Sequence, residues 1–367
     1  MNFDLTDEQT MLRDAFSRFL ADRYGFEQRR ALRLSADGWS RPVWAWLAEQ
    51  GYLAASFPEA DGGLGGGAVE TMVIAEALGA HLAAEPYLAS IVLAGTALRL
   101  SSGQARTEAL AGLLSGALTA SFCEEDGAAP VRAVGTETGW MLTGGKVNVI
   151  HGASADRLVV TAETAQGLGV FLADAAALGI TRRRHATFDG LHAAEIGFAG
   201  VSAVPLAFGP RAEALVERVR QHGIAWLAAE AVGIMRMLLD LTVDHLKTRR
   251  QFGEALGSFQ ALRHRAVDML VAVEQADSAK IYAVTMIDAP DRAERRKAFA
   301  AVKAVIGAAG RVVGQAAVQL HGGIGVTDEH RVGWGMRRLT MIDMMLGDSD
   351  HHIAALAELG GFLAAAE

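Results

Sequence analysis

Cysteine is nearly absent from this 367-residue chain: Cys123 stands alone, so no intrachain disulfide can form and no thiolate metal cluster can be built. A reducing setting fits that usage, and the expected localisation is cytoplasmic, with no metal site. Positive charge is also in short supply. The 34 Lys and Arg are outnumbered by 42 Asp and Glu, for a formal net charge of -8. That balance leaves no electrostatic footprint for nucleic acid, and no Lys/Arg run points to an anionic membrane surface. The N-terminus begins Met1-Asn2-Phe3 and continues into acidic residues, without a basic region or a continuous apolar run, so no secretion signal is expected. The longest apolar stretch, near 86–100, is interrupted by Ser90 and Thr96 and falls short of the ~20 residues that span a bilayer. A soluble protein, bound neither to membrane nor to nucleic acid, is the expectation.

What remains is ample apolar material. Hydrophobic residues make up 51% and charged residues 21%, enough for a large core shared among two or three lobes. Thr6 followed by Gln9 is a capping-box pattern, and Leu12, Phe16, Phe19 and Leu20 then recur at helical spacing. A second helix is expected from Ser40-Arg41-Pro42 to Gly51. The glycine-dense stretch 57–67 reads as a loop, and Ala- and Leu-rich helices follow over roughly 69–114.

Near Ala117 the pattern changes to short apolar runs separated by turns, including 119–123, 140–143, 147–150, 157–161 and 170–173. Gly144-Gly145 between two runs reads as a hairpin. Further strands are expected over 180–187 and 194–198, with Pro205 closing the region; His185 and His192 read as surface residues. From Arg211 onward the pattern is helical again. Ile224, Leu227, Ala228, Ala231, Ile234, Met235 and Leu238 form a stripe wide enough to be buried on several sides. The expected fold class is α+β: an N-terminal helical domain (1–115), a small middle β-sandwich or barrel (116–208) and a C-terminal four-helix bundle (209–367). No internal repeat or low-complexity tract is present.

Two motifs carry chemistry. Thr248-Arg249-Arg250-Gln251-Phe252-Gly253, followed by Phe259-Gln260, places guanidinium groups, a polar side chain, an aromatic and a turn glycine after a long helix. Arginine grips phosphate oxygens bidentately, which suits a dinucleotide diphosphate, although a charged helix end with a capping glycine has the same look. Gln319-Leu320-His321-Gly322-Gly323-Ile324-Gly325 follows a helical stretch over 292–318. Its glycines let backbone amides approach an anionic ligand closely, while a plain helix-breaking turn would read alike. No strand precedes it, so it is not a Rossmann fingerprint.

Together, and in this order, these motifs resemble the acyl-CoA dehydrogenase family. The resemblance covers nearly the whole chain, including Leu5-Thr-Asp-Glu-Gln9, Phe57-Pro-Glu-Ala-Asp-Gly-Gly-Leu-Gly65, Gly145-Lys146, Ala155-Asp156 and Val204-Pro205. It implies FAD at a dimer interface, acyl-CoA as substrate, an electron-transfer acceptor, and a homo-oligomer or a heterotetramer with a second acyl-CoA dehydrogenase subunit. The residues expected to touch the diphosphate and adenosine of a neighbour's FAD are Arg249, Gln251, Phe252, Gln260, Gln319, Gly322 and Gly323. The flavin-ring half departs from the family pattern. Glu124-Glu125-Asp126-Gly127-Ala128-Ala129-Pro130 stands where a Thr-Glu-Pro stretch is usual, and Asn148-Val149-Ile150 where Trp-Ile-Thr is usual. The catalytic base is missing as well. Its usual glutamate corresponds to Leu346, ahead of Gly347, and its alternate site to Gly223, ten residues before Gly233. The arginine that often follows the alternate site is replaced by Ile224. Asp343, one helical turn before Leu346, is the in-chain alternative base, against a plain capping role; Asp348, Asp350, His351 and His352 lie nearby. The resemblance thus implies the base-less subunit of a two-chain, steroid-degrading type of enzyme, with a self-sufficient dehydrogenase or other flavin oxidoreductase as the alternative.

Overall fold

A computed structural model describes residues 4–137 and 139–361. They fall into two compact units, one comprising 4–29, 68–83 and 224–361, the other 30–67, 84–137 and 139–223. Helix α1 (Asp7–Arg23) opens on the expected capping box, with Gln9 N–H donating to Thr6 Oγ1 and Thr6 N–H to Gln9 Oε1, and it buries Phe16 and Leu20. A short α2 (Phe26–Leu32), which the periodicity did not signal, follows. Helix α3 (Arg41–Glu49) begins at an N-capping Ser40 with proline in its first turn. The glycine-rich loop contains one 3₁₀ turn, Glu59–Asp61. Next come α4 (Ala68–Ala80), a fully buried π-helical segment (Leu88–Ala94) running into α5 (Gly95–Arg99), and α6 (Gln104–Leu114).

The β region contains β1 (Ala120–Cys123), β2 (Arg132–Thr136), β3 (Gly139–Ile150), β4 (Arg157–Thr164), β5 (Gly167–Asp174), β6 (Ile180–Ala186) and β7 (His192–Phe208). Strand β4 pairs with both β2 and β5, so the path β4-β2-β3-β7-β5 returns to β4 and closes a barrel, with β1 and β6 added at β4 and β7. Inward side chains such as Val131, Leu142, Val160, Phe171 and Ile196 fill it, and Trp140, Phe171 and Phe208 cluster with centroids 4.9–5.6 Å apart.

Three local expectations are corrected here. Gly144-Gly145 is not a hairpin turn but lies inside β3, while the β2–β3 hairpin turns between Thr136 and Gly139. Gly144 is required for another reason: at φ 133°, a Cβ there would sit 2.5 Å from the Pro130 carbonyl oxygen. Pro205 does not close the region, because β7 runs on to Phe208. His192 is buried rather than exposed, its ring against Gly38 and its Nε2 3.0 Å from the Arg33 carbonyl oxygen.

Helix α7 (Gly209–Thr248) is 40 residues long, and the whole stripe from Ile224 to Leu238 is buried. A two-stranded hairpin, β8 (Arg250–Gln251) with β9 (Glu254–Ala255), links it to α8 (Gln260–Met286). Helices α9 (Arg292–His321), α10 (Arg331–Met344) and α11 (Ser349–Glu358) follow, with α9 packed against α8, α10 and α11. The helical stretch Arg292–Val326 has the length and hydropathy of a membrane span, yet half of its apolar window is buried within the bundle. Helices α4 and α7 meet backbone to backbone. A Cβ on Gly79 would run into the Glu230 carbonyl, and one on Gly233 into that of Glu76. Beside this crossing Glu230 and Arg338 form a buried bidentate pair at 2.6 and 2.9 Å, and Trp226 Nε1 donates to Glu230.

Candidate functional site

The two sequence motifs meet in space. His245, in the last turn of α7, stacks on His321, in the last turn of α9, with ring centroids 4.4 Å apart and planes 28° from parallel. His330 closes the cluster at 5.0 Å from His321. The turn that begins at Arg249 and the turn that begins at Gly322 therefore spring from two adjoining helix ends. His245 is held below the usual histidine range, first by burial and then by the charges of His321, Arg249 and His330. His330 is lowered likewise, by burial and then by His321 and Arg331.

Arg249 itself is exposed, its N–H donating to the His245 carbonyl while its own carbonyl accepts from Leu256 N–H. Gln251 and Glu254 are paired across the hairpin, and the two-residue turn consists of Phe252 at φ 59° and Gly253 at φ 84°. Positive φ at both positions is the type I′ geometry that suits β-hairpins, but asparagine rather than phenylalanine is its natural first residue. Phe252 is 90% exposed, with only an edge-on contact to Phe259 at 6.2 Å. Gln260 is exposed at the start of α8. Gln319 is exposed on α9, and Gly322, at φ 66°, ends that helix by donating to the Val318 carbonyl. A Cβ at Gly253, Gly322 or Gly323 would meet nothing within 4 Å. Open backbone, an exposed guanidinium and an uncovered aromatic thus lie along adjoining turns. Exposed donors and a planar ring face are groups that phosphate oxygens and a flat heterocycle can use.

Leu346 and Gly223, the positions that the resemblance pairs with the family's base, lie in very different settings. Leu346 is half-buried at φ 58°, followed by Gly347 at φ 93°, and its carbonyl accepts from His352 Nε2 at 2.9 Å. Lys303, buried on α9, ties this turn down by donating to the carbonyls of Asp343 and Gly347, both at 2.6 Å. Burial lowers its ammonium to about 8 against the pull of Asp343 and Asp348. A strained left-handed turn is therefore built and clamped, but it presents an aliphatic side chain. Gly223 is buried in mid-α7 and offers no functional group.

Asp343 is engaged as a structural clasp. It accepts from Ser349 Oγ at 2.6 Å, from Ser349 N–H at 3.2 Å and from Arg311 at 3.1 Å. Burial alone would raise its carboxyl, yet the Ser349 and Arg311 hydrogen bonds and the Lys303 charge outweigh that and hold it below the usual carboxylate range. Asp348 caps α11 through His351 N–H. Cys123 is buried, its thiol pushed up to about 12 by burial. Among the described residues no group of three or more His, Cys, Asp or Glu is arranged to hold a metal ion.

Sequence comparison decides the family. Residues 6–117 match the acyl-CoA dehydrogenase N-terminal domain and residues 217–360 the acyl-CoA dehydrogenase C-terminal domain. Acyl-CoA dehydrogenase FadE27 of Mycobacterium tuberculosis (strain ATCC 25618 / H37Rv) is 33% identical over 326 residues, 83% of this chain and 84% of FadE27. The chain belongs to the acyl-CoA dehydrogenase family. Among solved structures, a chain of the ChsE4-ChsE5 complex from Mycobacterium tuberculosis superposes with a TM-score of 0.90 at 26% identity, covering 100% of both chains. A variant of the Tcur3481-Tcur3483 steroid ACAD gives 0.88 at 29%, covering 96% of this chain and 97% of that one. Membership brings FAD as cofactor and oxidoreduction of an acyl-CoA thioester as the class of reaction. The helix-barrel-helix order is the family's fold.

Two features of the chain escaped the sequence reading. The histidine stack that joins the motif turns had only Gln319-Leu320-His321 as a visible sign. The pairing of Glu124 with Arg220, 96 residues apart, had none.

Proposed function

We propose that this chain is one subunit of a heteromeric, FAD-dependent acyl-CoA dehydrogenase in the cytoplasm, a heterotetramer in which a partner subunit supplies the proton-abstracting carboxylate. Arg249, Gln251, Phe252, Gln260, Gln319, Gly322 and Gly323 hold the diphosphate and adenosine of FAD whose flavin ring rests on the partner. The observation that carries this reading is the contrast between an open, adjoining pair of nucleotide turns and an aliphatic Leu346 in the strained base turn. Two of the structural relatives support it: ChsE4-ChsE5 is a complex of two differently named components, and Tcur3481-Tcur3483 is a steroid ACAD that likewise carries two component names. A bulky acyl-CoA from steroid or lipid breakdown is accordingly the favoured substrate class, with electrons passed on to an electron-transfer acceptor.

FAD held in the assembled enzyme would supply a hydride acceptor for the β-carbon. This chain's contribution is positional. Arg249 neutralises diphosphate charge, the amides after Gly322 approach the nucleotide, and Phe252 offers a face to the purine. The α-proton must go to a carboxylate raised toward neutrality by desolvation, and the Leu346 turn provides none. A self-sufficient enzyme using Asp343 is disfavoured, because that carboxylate is hydrogen-bonded, ion-paired and held low.

The test is co-expression with the products of adjacent open reading frames. The lone chain should show little bound flavin and no α,β-dehydrogenation, and both should appear on co-purification with a base-bearing partner. Full flavin content and activity in the lone protein would overturn the proposal.

A further inference from the structure

The segment after β1, which stands where the family's flavin-ring stretch is usual, is tied down by this chain's own side chains. Glu124 follows β1 and is only 20% exposed; its Oε1 accepts from Arg220 Nε of α7 at 2.6 Å. The next residue, Glu125, accepts from Asn148 Nδ2 at 2.6 Å, and Asn148 sits at φ 52° beside the bulge in β3. Asp126 pairs with Lys146 at 2.7 Å; Lys146, 1% exposed, also donates to the Glu124 carbonyl at 2.9 Å. Backbone bonds from Gly127 N–H to Gly145 and from Val147 N–H to Glu125 zip the same segment onto β3. Three successive acids each have a partner within one unit of the chain.

This segment does not fit a flavin ring. The pyrimidine edge of isoalloxazine is rich in acceptors and needs hydrogen-bond donors, whereas ionised carboxylates only accept. Reduced flavin is more negative still, and acids beside it would raise its cost. The aromatic wall is replaced by Asn148, whose amide is already committed to Glu125. Burial raises the Glu124 carboxyl, and the Arg220 and Lys146 charges beside it pull the other way without cancelling that rise.

We infer that Arg220 and Glu124 form an interlock that keeps this chain's own flavin seat shut, so that each pair of unlike chains carries one flavin ring, on the partner. The inference rests on the heteromeric reading above but concerns separate residues. It is tested on the full chain with two probes: riboflavin, which reports the ring seat, and ADP, which reports the phosphate turns. Wild-type chain should leave riboflavin fluorescence unquenched, while Glu124→Thr/Arg220→Ala, which removes the interlock and restores a hydroxyl, should bind riboflavin at least tenfold more tightly with ADP binding unchanged. Equal riboflavin binding by the two proteins, tight or absent, would overturn the interlock. Should the variant fail to fold, the wild-type heteromer decides: one FAD per two chains supports the inference, and one FAD per chain overturns it. If riboflavin behaves as expected but ADP binds nowhere, the phosphate-turn reading fails and the interlock stands.

Discussion

Phe252 is a residue that the isolated chain would be better without. At φ 59° an L-residue with a Cβ carries a left-handed penalty of about 1–2 kcal/mol. The side chain recovers little of it, since it is 90% exposed and meets only the edge of Phe259 at 6.2 Å. Phe252→Asn would turn Phe-Gly into Asn-Gly, the favoured type I′ pair, and should stabilise the lone chain by about 0.5–1 kcal/mol, read as a raised urea midpoint with unchanged slope. If the aromatic instead serves to face the adenine of FAD, the same substitution should weaken FAD binding by the assembled enzyme. Base stacking on an aromatic is worth about 1–3 kcal/mol, so the loss should be roughly five- to hundredfold. Stability and cofactor affinity should therefore move in opposite directions. Should F252N leave FAD affinity unchanged, or destabilise the lone chain, the assignment of this turn to the nucleotide is wrong.

Other consequences follow from the same geometry. Asp343→Asn should lower stability by about 1–3 kcal/mol through loss of the Arg311 and Ser349 contacts, yet leave turnover per folded heteromer unchanged in a steady-state assay. Gly79→Ala and Gly233→Ala should each cost more than about 1–3 kcal/mol by urea unfolding, because the added methyl meets a carbonyl of the facing helix. Acid should destabilise the protein early. His222 is lowered to about 3 by burial and then Arg99 and Arg218, and His81 to about 4 by burial and then Arg331. With folded values below the unfolded ~6.5, stability is complete above that pH and is lost as pH falls. Each ring should account for about 2 kcal/mol between roughly pH 6.5 and 5. His222→Gln should flatten that part of the pH-stability profile.

How much of this was legible in the residues depends on the range of the interaction. The capping box at Thr6, the Ser40 start of α3 and the break at Gly322 are local, and sequence periodicity placed them well. Gly144-Gly145 looked like a turn because glycine pairs mark turns, but Gly144 answers to Pro130 packing across the strand instead. The burial of His192 depends on a loop near Arg33, 159 residues away. Asp343 was readable as a carboxylate near the Leu346 turn, whereas its capture by Arg311 across two helices was not. The turns at Arg249 and Gly322 were visible as motifs, and their adjacency became apparent only through the His245-His321 stack.

The most direct test of the central claim is the FAD dissociation constant of the assembled heteromer carrying Arg249→Ala or Gln319→Ala in this chain alone. A lost charge-assisted phosphate contact is worth about 1.5–3 kcal/mol, so Arg249→Ala should weaken FAD binding roughly ten- to hundredfold, with a smaller loss for Gln319→Ala. An unchanged constant in both variants, with the heteromer intact, would contradict the account.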